Sequence, residues 1–450
     1  MPAIGFEMEM NRVQVRDTFV TPTWTSVTFL DPFDVPPVVV TLPTTQGGDP
    51  SLIRLRNVTA TGFQLLQVEP NANDGPHVQM DTAYLAVEPG SHQLPDGTRV
   101  QALTHSTSSF VSGLISTTWD NRSYPAAFST PPAIVASIQT MANETGTPPA
   151  TSSIPWLGVA LRNVGASSFQ ISLERAESVS GSVSAPETIG VIAVQNFANT
   201  SFADQNGMSV QLQGVRSGNS IRGYSDGCFS TSWPATFAQT PLSVASQITR
   251  AGNNGGWVRR CSESAGALGL SVDEDIDNDA ERNHTNETAG MIAASIAFHA
   301  EFGADLVVDQ QVVVLSDPQN GTTGPFAIPG AVVRYDVQVS SRGNLAPDTD
   351  SVFVTDQLPP ELALCVSPTC LGGGPVIFDD SGSLVGPGVT LGAVAYSRNG
   401  GLTYDYSPVA DGQGFDDAVN AFRVELLGDF SPVSSSGTPS VVLRFAARIR

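Results

Sequence analysis

Phe33-Asp-Val-Pro-Pro-Val-Val-Val-Thr41 decides the fold, because the chain carries the same plan three times. Phe128-Ser-Thr-Pro-Pro-Ala-Ile-Val-Ala136 and Phe237-Ala-Gln-Thr-Pro-Leu-Ser-Val-Ala245 again give an aromatic anchor, a proline-containing turn and an apolar strand. A further aromatic stands four residues before each anchor, at Phe29, Tyr124 and Trp233. The anchors are roughly a hundred residues apart, so each copy is domain-sized rather than one turn of a solenoid. Downstream, Leu55-Arg-Asn-Val-Thr-Ala-Thr-Gly-Phe-Gln-Leu65 matches Leu161-Arg-Asn-Val-Gly-Ala-Ser-Ser-Phe-Gln-Ile171, with a degraded third copy from Cys261 to Ser271. Each copy then ends in an apolar run: Asp81 to Val87, Glu187 to Val194, and Glu287 to Ala294.

Short runs rich in Val, Ile, Thr and Phe, bounded by Asn, Gly and Pro, predict antiparallel strands. In Gly62-Phe-Gln-Leu-Leu-Gln-Val68, alternation sets Phe63, Leu65 and Gln67 on one face and Gln64, Leu66 and Val68 on the other. Such a strand is expected to be buried on both sides. About six runs per hundred residues predict a β-sandwich. After Gly303 the pattern changes. Pro329-Gly-Ala feeds an alternating strand with Val333, Tyr335, Val337 and Val339 on one face, and Ser440-Val-Val-Leu-Arg-Phe closes the chain with another. The expected fold is all-β: four tandem antiparallel β-sandwich domains, immunoglobulin-like or H-type lectin-like, with little helix. Their expected bounds are 1–92, 93–199, 200–303 and 304–450. Short linkers between them predict a semi-rigid rod.

Composition narrows the function. The 450 residues carry 43 acidic and 21 basic side chains for a net charge of −22, and every basic residue is arginine. Without lysine there is no Schiff-base or phosphate-loop lysine and no Lys–Asn isopeptide bond. The negative charge disfavours nucleic acid and anionic lipid, which need clustered positive charge. The most apolar stretch, Ala289 to Phe298, is about half the roughly 20 residues that span a bilayer, so no direct membrane insertion is expected. No signal peptide is visible at Met-Pro-Ala-Ile-Gly-Phe. The cysteines fall into two local pairs, Cys228 with Cys261 and Cys365 with Cys370, whose spacing suits disulfides in an oxidising compartment better than zinc.

The three repeats resemble the H-type lectin domain and its bacterial relatives, on the aromatic–Pro–Val-rich strand, on Arg56-Asn-Val-Thr-Ala-Thr-Gly-Phe63 and on Tyr84-Leu-Ala-Val-Glu88. That resemblance implies a six-stranded sandwich, commonly trimeric, that binds N-acetylgalactosamine-type sugars at subunit interfaces. The last domain resembles the immunoglobulin-like repeats of large bacterial surface and secreted proteins. The matching residues are Ser316-Asp-Pro-Gln-Asn-Gly321, Ile328-Pro-Gly-Ala331, Tyr335, Asp356-Gln-Leu-Pro359, Tyr396-Ser397 and Gly414-Phe-Asp416. Such repeats serve as stalks, spacers or assembly modules, so both resemblances imply an extracellular or cell-surface location.

Five histidines (His77, His92, His105, His284 and His299) fit no HExxH, and no nucleophile elbow or phosphate loop is present, so the chain reads as non-enzymatic. The acidic run Asp273, Asp275, Asp277 and Asp279 offers hard oxygen ligands, making calcium the one cofactor considered. It lacks the glycine and terminal glutamate of an EF-hand loop, and a solvated acidic loop is the simpler reading. For glycans, Trp156 and Trp257 with Arg54 and Arg162 are the candidate platform, against packing in a core or domain interface. Trp24 and Trp119 share a repeat position and read as core. At the N-terminus, Ile4, Phe6, Met8 and Met10 either complete the first sandwich or pair with the edge of a neighbouring subunit. The expected function is a structural and adhesive protein of a surface appendage, fibre or layer, self-associating as a homopolymer or homo-oligomer through β-sandwich edges. The alternative is a carbohydrate-binding lectin acting as a closed oligomer.

Overall fold

The computed structural model describes residues 5–15, 24–69, 77–112, 116–143, 155–175, 182–252, 255–276, 280–433 and 437–450. Regular structure in them is β throughout, apart from one 3-10 turn at Tyr224–Asp226. The chain divides into two compact units, Phe6–Glu301 and Phe302–Arg450, the second with Gly5.

The first unit holds the three repeats, each a sandwich of two antiparallel sheets. In repeat 1 the sheet Phe6–Val15, Met80–Val87, Val38–Thr41 faces the sheet Thr25–Thr28, Gly62–Val68, Leu52–Thr59. The anchor aromatics explain why the same sequence plan folds the same way three times. Phe29 meets Phe33 edge-on at 4.8 Å, Tyr124 meets Phe128 at 5.0 Å and Trp233 meets Phe237 at 5.9 Å between centroids. All six rings are buried, each worth about 1.5–3 kcal/mol relative to exposure. Their backbone amides are satisfied identically. Phe29 and Phe33 donate to Thr61 and Ala60, Tyr124 and Phe128 to Ser167 and Ala166, Trp233 and Phe237 to Gly266 and Ala265. The strand Gly62–Val68 is buried on both faces from Leu65 onward, as its alternation predicts.

The repeats close on themselves instead of forming a rod. In repeat 2 the outermost strand of the first sheet is Gly90–Gln93, and in repeat 3 it is Ala198–Ala203; each forms a hairpin with the strand that follows it. In repeat 1 that outer place is taken by Phe298–Phe302, which arrives after the third repeat and lies against Phe6–Val15. The contacts between repeats are cyclic as well. Glu187–Val194 of repeat 2 meets Val38–Thr41 of repeat 1, Ala289–Ala294 of repeat 3 meets Ala133–Ile138 of repeat 2, and Met80–Val87 of repeat 1 meets Leu242–Gln247 of repeat 3. Side chains bind the facing backbones: Thr41 N donates to Ser137 Oγ at 3.1 Å, and Ala136 N to Ser246 Oγ at 2.9 Å. Close approach needs small residues here. A Cβ on Gly290 would come within 2.3 Å of the Ile134 carbonyl oxygen.

The segment read as either completing the first sandwich or pairing with a neighbouring subunit is the first strand of repeat 1. Met8 pairs with Val87 just as Val100 pairs with Val194 in repeat 2, so Phe6, Met8 and Met10 occupy the repeat's own core strand and are buried. That strand has Met80–Val87 on one side and Phe298–Phe302 on the other, which leaves it no free edge. Ile4 lies outside the described residues.

The second unit is a sandwich of two β-sheets. One sheet runs Leu306–Ser316, Val332–Ser341, Ser440–Ile449, Leu362–Cys365, Phe415–Asp416, and Val376–Asp379 also pairs with Ser440–Ile449. The other has three strands, Val352–Gln357, Ala421–Gly428 and Val389–Ser397. Val333, Val337 and Val339 point into a core with Phe422, Phe430, Leu443 and Phe445, and Tyr335 stacks on Phe445 at 4.9 Å.

Candidate functional site

Several ionisable side chains of the first unit are paired where one repeat meets the next, while others, such as His105 with Asp120, pair within a repeat. Asp273 ends the strand Ala267–Asp273, opposite Trp257, with its side chain wholly buried. Arg282 grips it with both terminal contacts, Nε to Oδ1 and Nη2 to Oδ2, each at 2.7 Å, while Arg259 also donates to Oδ2. The two guanidiniums then reach repeat 1: Arg259 donates to the Thr44 and Asp49 carbonyls and Arg282 to that of Gly48, all at 2.7 Å. Arg282 also lies 3.6 Å over the Tyr224 ring. One buried carboxylate thus holds two arginines that bolt repeat 3 to repeat 1.

The junction of repeats 2 and 3 uses a second network. Arg250 of repeat 3 is bidentate to Glu174 of repeat 2, at 2.7 and 2.9 Å. Beside it His284 is held by Glu274 and, at 3.1 Å, by Glu287. Burial opposes charge on this imidazole, but the two carboxylates outweigh it and raise its pKa to about 9. Glu287 also accepts from Thr249 and from the amides of Ala251 and Gly252. Burial pushes its pKa up, but these bonds and His284 bring it below the ordinary carboxylate value. Glu187 does the same work in repeat 2, accepting from the amides of Ala142 and Asn143 at 2.8 Å each. At the closure, His299 meets Glu9 at 3.0 Å and Glu7 at 3.4 Å, joining the strand after repeat 3 to the first strand of repeat 1.

The residues singled out in the sequence separate on this framework. Trp156 and Trp257 come together, 4.7 Å between ring centroids, in a buried cluster with Leu52, Leu66 and Val68 contributed by all three repeats. Arg54 is buried with its guanidinium 5.3 Å from the Trp156 ring. Those three therefore plug the meeting point of the repeats and offer no open ring face for a pyranose. Arg162 is elsewhere, stacked 4.1 Å over Trp119. Among the acidic residues, Asp273 is committed to two arginines and Asp275 is buried; Asp277 and Asp279 lie outside the described residues. No group of three or more His, Cys, Asp or Glu side chains among the described residues is placed to hold a metal ion. Both cysteine pairs are disulfides, Cys228–Cys261 and Cys365–Cys370, as fits folding in an oxidising compartment. No helix among the described residues is long and apolar enough to cross a membrane.

Strand register exposes a substitution that the sequence alignment hides. Trp24 precedes the strand whose Thr25 pairs with Leu65, Trp119 the strand whose Asp120 pairs with Ile171, and Cys228 the strand whose Phe229 pairs with Leu270. On the third strand, Arg56, Arg162 and Cys261 follow the residues paired with those same three positions. The cation–π pairs Arg56–Trp24, at 3.7 Å, and Arg162–Trp119 thus stand where repeat 3 has its disulfide. Gln64 and Gln170 accept from Arg56 and Arg162 at 2.9 and 2.7 Å, and Gly269 replaces them where a Cβ would crowd Cys228 Sγ at 2.7 Å. All three devices tie the two outer strands of one sheet, which is a structural role for the partly exposed Trp–Arg pairs.

In the second unit the longest edge strand is Leu306–Ser316. Among the described residues it pairs only with Val332–Ser341 and ends its sheet, yet it is 11 residues long and carries Val308, Val312 and Val313 at 55%, 53% and 41% exposure. Beside it opens a cavity of about 400 Å³, lined by Leu306, Val308, Val337, Phe353, Phe422 and Leu443 among others. The sequence signal was present in Leu306-Val-Val-Asp-Gln-Gln-Val-Val-Val-Leu-Ser316, a run whose edge position no local pattern reveals. No family model matches the chain, and no curated protein or solved structure is significantly similar to it.

Proposed function

We propose that the chain is a non-enzymatic extracellular structural and adhesive protein, a subunit of a bacterial surface appendage, fibre or layer that assembles through β-sandwich edges. The observation that carries this reading is the long, apolar, unpaired edge Leu306–Ser316. Such an edge is a template for another strand, and proteins that stay apart blunt it with lysine, proline or a short length. Here the chain has no lysine, and Asp309 is the one charge along the strand. Two disulfides support an extracellular setting. In the ring, ionic groups that could act on a substrate hold the repeats together instead, which supports a rigid head over a catalytic one.

A second reading, a glycan-binding lectin, is favoured by one observation. Three sandwiches close around a common contact of Leu52, Trp156 and Trp257, an arrangement in one chain that parallels the trimer the H-type resemblance implies. Negative-stain electron microscopy and a glycan array applied to one preparation separate the two. Regular filaments or sheets support the first reading; dispersed particles that bind defined glycans support the second and refute the first.

A further inference from the structure

We infer that the edge strand Leu306–Ser316 receives the same strand of a second copy of this chain, antiparallel, about a twofold axis at Gln310. The inference deepens the assembly reading above, and rests on it in taking this edge to be functional.

The strand is self-complementary when read in both directions from Gln310. Leu306 falls opposite Val314, Val307 opposite Val313, Val308 opposite Val312, and Asp309 opposite Gln311. An isologous contact requires this symmetry, since residue i must face j and j must face i. The register also keeps the two Asp309 carboxylates apart by setting each against a neutral amide, which matters because like charges directly opposite destabilise a strand pair. Along the strand every other position is apolar from Leu306 to Val314 except Gln310, whose amide meets its own copy on the axis.

The core-facing row completes the argument. Val308, Gln310, Val312 and Val314 pair with Val339, Val337, Tyr335 and Val333, whose side chains point into the sandwich core. Residues 308 and 312 therefore belong to the inner face of the sheet, yet both are more than half exposed. They are exposed because the facing sheet ends at Val352–Gln357, leaving the apolar cavity with Phe353 at its rim, itself 45% exposed. A second copy would extend the inner face by the row Leu306, Val308, Val312, Val314. The contact is apolar between two chains of charge −22, so it strengthens as salt screens their repulsion.

Sedimentation velocity of the full chain over a range of concentration and salt tests this. A monomer–dimer step that tightens with salt is expected at low concentration, with filaments or sheets needing a second contact between such dimers, since an isologous pair closes on itself. Gln311→Glu places a carboxylate against each Asp309 in this register and is expected to weaken the dimer about tenfold. Adding Asp309→Arg turns both clashes into ion pairs and is expected to restore it. Both sites are exposed, so circular dichroism and melting stay as in the parent. Gln310→Cys is expected to cross-link copy to copy on mild oxidation, the four native cysteines being already paired. A strict monomer at about 100 μM in about 0.5 M salt, where the repulsion is screened, overturns the inference and leaves the edge to a different chain. A dimer indifferent to Gln311→Glu overturns it too. Filaments that persist in Gln311→Glu overturn this inference but spare the assembly reading, whereas a dimer with this mutational pattern and no filaments does the reverse.

Discussion

Replacing Asp273 by alanine removes the carboxylate that, among the described residues, pairs with both Arg259 and Arg282 at the junction of repeats 3 and 1. The Arg259 side chain is fully buried and Arg282 is 12% exposed, so neither guanidinium can recover its hydration without opening the junction. Breaking a buried pair from one side costs about 3–5 kcal/mol, because the remaining charge is left uncompensated. An exposed pair would cost about 0–1 kcal/mol. All five tryptophans lie before residue 258, so tryptophan fluorescence reports the ring alone, even in the full chain. Urea unfolding followed by fluorescence is expected to show a midpoint lowered by about 1–2 M for Asp273→Ala, using a slope of roughly 2–3 kcal/mol/M for a unit of this size. The joint replacement Arg259→Met with Asp273→Leu is expected to recover part of the loss, since apolar side chains of similar volume can substitute for a buried pair. Millimolar calcium is expected to leave the parent's midpoint unchanged, because this carboxylate is occupied. A loss under about 1 kcal/mol, or a calcium-dependent rise that Asp273→Ala abolishes, would refute the reasoning.

Other expectations follow from the same junctions. His284 has its pKa raised to about 9 from 6.5, so its contribution is complete below about pH 6.5 and is lost as pH rises through 9. That is about 3 kcal/mol, and His284→Gln should flatten the alkaline fall in ring stability; an unchanged slope would assign that fall elsewhere. Removing Cys228 and Cys261 as alanines should cost about 3–4 kcal/mol by the loop-entropy estimate. Rebuilding the repeat 1 device with Cys228→Trp, Cys261→Arg and Gly269→Gln should recover a measurable part, and a triple variant no better than the alanine pair would deny the equivalence. Gly290→Val should destabilise the ring by about 1–3 kcal/mol through the clash with Ile134, against little effect for Gly266→Ala, which faces open space. Equal melting temperatures for the two would remove close approach as the reason for glycine at 290.

The fold was legible where pattern is local. The anchors Phe33, Phe128 and Phe237, with Phe29, Tyr124 and Trp233 before them, announce a sandwich that repeats, and the structure buries all six rings at matching places. Ring closure was illegible because it depends on Phe298–Phe302 meeting Phe6–Val15, nearly the whole unit apart in sequence and with no local signature. The same distance hid the role of Asp273, which reads as one of an acidic run. Its partners lie 14 residues before and 9 residues after, on a paired strand and a loop. The place of the first strand was open for the same reason, since only its pairing makes Met8 the counterpart of Val100. The third repeat looked degraded because a disulfide had replaced a Trp–Arg pair, which only strand register reveals.

Negative-stain electron microscopy of the purified chain, with and without millimolar calcium and at raised sodium chloride, tests the central claim most directly. The account predicts regular filaments or sheets that are favoured by screening, whichever cation supplies it, and that do not need calcium. Monomers or closed oligomers under every condition would contradict it.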